Sequence, residues 1–105
     1  MLTQIRLRRM LRYNPCTGHF HWKQPKSRVI YGMRAGHQRK DGYVHLKING
    51  HSYYAHVLVW LYIHGKWPIT IDHLDENKSN NRVLNLLNVS QAENMRRYFH
   101  NHPRS

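Results

Sequence analysis

Acidic residues are scarce. Five Asp and Glu stand against seventeen Lys and Arg, a formal charge of +12 over 105 residues. A surplus that large repels itself in the compact state and invites a polyanion. Nucleic acid is the leading candidate, because phosphate neutralisation supplies most non-specific affinity. An anionic membrane surface is the competitor. Cysteine is nearly absent too. Cys16 alone excludes an internal disulfide framework and a Cys-rich zinc cage, and a free Cys usually behaves as a small structural residue. No apolar run approaches the roughly 20 residues needed to span a bilayer. The basic N-terminus MLTQIRLRRML lacks the apolar core of a signal peptide, so a cytoplasmic chain is expected. An apolar content of 40% excludes global disorder, and the length suits one domain with a small core.

Along the chain, Thr3 to Arg12 reads as a short helix. Thr3 can cap it, while Leu7, Met10 and Leu11 share a face. The run from Asn14 to Gly18 is a turn signal, followed by an alternating strand from His19 to Trp22. Gln24 to Lys40 is polar and weakly periodic, which predicts a loop or arm. Tyr43 to Ile48 and His51 to Ala55 predict a hairpin, joined by Asn49-Gly50, the pair that suits a type I′ turn. Val57 to Ile63 is almost wholly apolar. A central strand is possible there; a buried helix over His56 to His64, ended by Gly65 and Pro68, is preferred. Thr70 to His73 and Leu86 to Val89 read as short strands around a polar loop. Ser90 and Glu93 form a capping box that opens a helix at Gln91. Strand, loop, strand and helix make a ββα unit.

Four of the five carboxylates fall between Asp72 and Glu93. A local group of acids in a basic protein suggests a bound cation or an acid–base site. Asp75 and Glu76 also read plainly as turn residues, and Glu93 as a cap. Asp72 is harder to dismiss, since it ends an apolar strand beside His73, where a charge needs a partner. Asn77, Asn80, Asn81, Asn85, Asn88 and Asn94 crowd the same region. Asn77 and Asn80 suit loop closure. Asn94 lies in the first turn of a capped helix, a natural anion-binding place. The loop from Asp75 lacks the glycine and glutamate of an EF-hand, which is therefore rejected.

The ordered set of Asp72-His73, Asn80-Asn81, Asn85-Leu86 and Glu93-Asn94 resembles the HNH endonuclease motif. "YNPCTGHFHW", "AHVLVWLYIHGKWP" and "IDHLDENKSNNRVLNLLNVSQAEN" extend the resemblance to phage and intron-encoded homing-type members over nearly the whole chain. The resemblance implies that His73 is the general base, that Asp72 and Asn94 hold one divalent metal, and that Asn85 braces the loop. The third signature position is Asn94, as in one branch of the family, where others have His. Carboxylate and amide ligands suit Mg²⁺ or Mn²⁺. A neutral His can act as base at pH 7. Hydrolysis to 5′-phosphate and 3′-hydroxyl ends, and a phage-encoded origin in a bacterial host, follow from the same resemblance. In an ideal strand Asp72 and His73 point to opposite faces, so both serve one site only where the chain bends.

Arg82, Arg96 and Arg97 are candidates for phosphate contact near the cut, as is His56, whose first reading is structural support. Arg6, Arg8, Arg9, Arg12, Lys23, Lys26, Arg28, Arg34, Arg39 and Lys40 extend the possible track. Such contacts position a duplex without reading it. The remaining histidines read as strand or surface residues. The expected partner is double-stranded DNA, with no membrane involved. A monomer with one site should nick one strand; a dimer is the alternative. The main rival is a non-catalytic nucleic-acid-binding module. A zinc structural domain is rejected, since no matched pairs of ligands are present.

The expected fold is therefore α+β in a single domain. Residues 1–42 form a basic helix, strand and arm, 43–68 a hairpin and buried helix, and 69–98 a ββα-metal unit, with 99–105 a frayed tail.

Overall fold

A computed structural model describes residues 1–23 and 32–89. Helix α1 (Gln4–Met10) starts where Thr3 turns extended and its Oγ1 accepts the Arg6 amide at 3.3 Å. It stops earlier than its periodicity suggests. Leu11 turns extended and opens strand β1 (Leu11–Asn14). The helix reading of Leu11 and Arg12 gives way to tertiary pairing. In β1, Leu11 and Tyr13 point inward while Arg12 and Asn14 point out. β1 pairs antiparallel with β2 (His19–Trp22), whose Phe20 and Trp22 face the same way. The stretch expected to be a loop carries two short strands. β3 (Arg34–Ala35) adds to β2, and β4 (His37–Gln38) adds to β5 (Val44–Ile48).

β5 returns through Asn49-Gly50 into β6 (His51–Tyr54). Both turn residues have positive φ, 50° and 84°, as the Asn-Gly pair predicts. Helix α2 (Ala55–His64) follows directly and ends at Gly65 in the left-handed region, φ 73°. Helix wins over strand for this apolar run because it is ten residues long and apolar on most sides, which suits a buried helix. β7 (Ile71–His73) and β8 (Leu86–Asn88) close the described chain as an antiparallel pair, lengthened by the Val89 amide bonding to the Thr70 carbonyl at 2.8 Å.

As the expected α+β class requires, the strands form small antiparallel sheets, three of them, around α2. Leu7, Leu11, Phe20, Leu46, Ile48, Leu58 and Val59 are fully buried between them. Each large aliphatic or aromatic side chain withdrawn from water contributes about 1.5–3 kcal/mol. α1 also closes the end of α2. Gln4 Nε2 and Arg8 Nε both donate to the Tyr62 carbonyl, at 3.0 and 2.9 Å, satisfying an acceptor in the last turn of α2. Among the described residues, no helix is long and apolar enough to cross a membrane.

Candidate active site

β7 delivers His73 as its last residue. The chain then turns at once: the Glu76 amide bonds back to the His73 carbonyl at 2.9 Å, and Glu76 has φ 63°. His73 therefore occupies the last paired position of β7, opposite Leu86 of β8, immediately before the turn. His73 is 7% exposed, and its Nε2 lies 2.9 Å from Asn81 Oδ1. Asp72, one residue earlier, is half-buried and pairs with Leu87 of β8.

Asn81 is held from outside the loop. It is 2% exposed, and its carbonyl accepts the Tyr13 hydroxyl from β1. Burial pushes the Tyr13 phenol up to about 12, so it remains a donor at neutral pH. Gly18, in the β1–β2 turn, lies against the same peptide. A Cβ there would come within 2.5 Å of the Arg82 amide nitrogen and 2.6 Å of the Asn81 carbonyl carbon.

The rest of the loop is braced by Asp75 and Asn85. Asp75 Oδ1 accepts the Asn77 amide at 2.8 Å and Asn85 Nδ2 at 2.9 Å; Oδ2 accepts Asn80 Nδ2 at 2.7 Å. The Asn80 bond, with the Asn77 amide, holds the Asp75 carboxyl below its usual range. Asn85 Nδ2 also donates to the Asn80 carbonyl, and its Oδ1 accepts the Asp75 amide. One Asn side chain thus ties three points of the loop together. Asn77 closes its own turn by accepting from the Ser79 amide and hydroxyl.

The wall behind His73 is aromatic. His56, at the start of α2, meets it edge-on with ring centroids 5.0 Å apart, and Tyr43 stands 6.2 Å away. His56 is 8% exposed and its Nδ1 has no hydrogen-bond partner. Burial, then the neighbouring His73 and His45, lower it to about 4, so it is neutral at pH 7. Tyr54 also packs on His56, with ring centroids 5.2 Å apart. Lys78 Nζ lies 4.9 Å over the Tyr43 ring and donates to the Asp41 carbonyl, joining the loop to the second sheet.

The structure thus gathers His73, His56 and the loop that carries Asn85 and Arg82. Arg82 is exposed and follows Asn81 directly. Asn94, Arg96 and Arg97 lie outside the described residues, as does the helix expected at Gln91. Among the described residues no three His, Cys, Asp or Glu side chains converge as a metal cage. The hard oxygen donor of Asp72 nevertheless fits a cation that keeps much of its water. The sequence assigns no role at the site to Tyr13, names Asn81 only as part of the motif, and marks Asp75 as the turn residue that its loop bonds make it. Asn81 belongs to the Asn80-Asn81 pair of the motif, but residue type alone does not tell the loop-closing Asn from the one that meets His73. Nothing local marks Tyr13, whose contact spans 68 positions.

Residues 53–96 match the HNH endonuclease family. No curated protein sequence matches the chain. Among solved structures, the chain is similar to one described as DNA binding and cleavage by the HNH homing endonuclease I-HmuI, with a TM-score of 0.65 and 26% identity. The likeness covers 90% of this chain and 55% of that one, so the chain spans a little over half of that protein's length. The matched segment thus resembles the HNH endonuclease family, and the architecture around it resembles that of an HNH homing endonuclease.

Proposed function

We propose that this chain is a metal-dependent DNA endonuclease that nicks double-stranded DNA, acting as a monomer. The observation that carries the reading is His73 at the end of β7, its ring tethered to Asn81 inside the segment that matches the family. His73 takes a proton from a water molecule. The water oxygen forms a bond to phosphorus, the bond from phosphorus to the 3′ oxygen breaks, and that oxygen takes a proton from solvent. The ends are a 5′-phosphate and a 3′-hydroxyl. Asp72 and Asn94 would hold one divalent cation, Mg²⁺ or Mn²⁺, which supplies charge stabilisation at the scissile phosphate and the leaving oxygen. Asn85 keeps the loop in shape. His56, buried and neutral, supports the ring of His73 rather than a phosphate.

The duplex lies across the outer face of β1–β2–β3. Register places Arg12, His21 and Arg34 in one row across these strands, with His19 beside them. Burial, and after it the nearby Arg34, His21 and Arg82, lower the His19 imidazole. Arg82 continues the track, and Arg96 and Arg97 are further candidates for phosphate contact. Arg8 and Lys23 are engaged internally, on the Tyr62 and Arg8 carbonyls.

A supercoiled-plasmid assay with Mg²⁺, with Mn²⁺ and with EDTA tests the reading. We expect metal-dependent conversion to open circle, lost in His73→Ala. Linear product at early times would replace the monomer with paired sites. Binding without cleavage under any metal would favour a non-catalytic binding module.

A further inference from the structure

The contact between His73 and Asn81 has a direction. An amide Oδ1 can only accept, so the proton between the two groups belongs to His73 Nε2. A neutral imidazole with a proton on Nε2 keeps its lone pair on Nδ1. Asn81 is almost fully buried and cannot easily turn. Tyr13 donates to its carbonyl, and Gly18 packs on the peptide that joins it to Arg82. His56 closes one flank of the His73 ring edge-on. Two strands that precede the matched segment therefore fix an amide, and the amide fixes a ring.

Building on the nuclease reading, we infer that Asn81 is the positioning residue of the general base. It selects the tautomer and the orientation that leave His73 Nδ1 as the proton acceptor, and Tyr13 and Gly18 hold Asn81 in place. Asn81 touches neither water nor phosphate in this role. Its effect passes through the ring, as with other partners that orient an imidazole, whose loss costs roughly tenfold to a hundredfold in activity.

The test is NMR of the isotopically labelled full chain, read at the His73 ring nitrogens. The expected result is a slowly exchanging proton on Nε2 in the native chain. Asn81→Leu, close in size and without an acceptor, should lose that proton signal while the amide spectrum stays folded. Plasmid nicking by the same variant should show kcat down about tenfold or more with KM little changed. Tyr13→Phe removes only the remote hydroxyl and should weaken the proton's protection from exchange. A native chain whose His73 proton sits on Nδ1 overturns the inference without any variant. So does Asn81→Leu with an unchanged Nε2 proton, or with an unchanged kcat. A native chain that shows the Nε2 proton but cuts no DNA with any metal overturns the nuclease reading, and with it the role of Asn81, while the hydrogen bond itself stands.

Discussion

His56 shows how burial sets chemistry at one residue. An unfolded imidazole protonates near 6.5, whereas His56 resists until about 4. Between those values the unfolded chain binds the extra proton, so stability falls as pH drops from about 6.5 towards 4 and is kept above that window. Urea denaturation at several pH values should show this slope, and His56→Phe should flatten it. An unchanged slope would place the acid sensitivity elsewhere. At this scale much of the candidate site could be read from the chain, because residue type and order carry it: Asp72 beside His73, then Asn85. The structure adds Asn81, whose importance comes from a partner eight positions away, across a loop whose path the sequence does not specify.

The turn between β1 and β2 is where an element meets the site. Gly18 and Gly50 both have positive φ, 77° and 84°. An alanine at either incurs the left-handed penalty of roughly 1–2 kcal/mol. Only at Gly18 would the new Cβ also strike backbone, that of Asn81 and Arg82; nothing lies within 4 Å at Gly50. Gly18→Ala should therefore destabilise by clearly more than Gly50→Ala, roughly 2 kcal/mol or more, in chemical denaturation. Equal destabilisation would show that the hairpin is not pressed on the loop. The hairpin at 43–54, the buried helix and the strands β7 and β8 were legible because each rests on local signals: an Asn-Gly turn, a terminal Gly, a short apolar alternation. β1, β3 and β4 were not. Leu11 and Arg12 fit a helical face as well as a strand, and only pairing with His21 and Trp22 decides between them.

Over the whole molecule, charge is what the composition makes plainest and the fold makes specific. The surplus of +12 points to phosphate, but the fold separates arginines turned outward on the first sheet from those committed within. Arg12→Gln with Arg34→Gln should lower the salt dependence of DNA binding by about 0.9 in log–log slope for each phosphate no longer neutralised. Lys47→Gln, on the exposed side of β5, should leave the slope alone. Equal slopes for both would move the duplex to another face. The first hairpin has a further consequence. It lies outside residues 53–96, yet Tyr13 and Gly18 grip the peptide beside Asn81. A graft that moves only 53–96 onto another scaffold would carry the signature and leave its anchor behind. A transferable unit that keeps the β7–β8 loop anchored must therefore include Tyr13 and Gly18, and with them the strands that carry this turn.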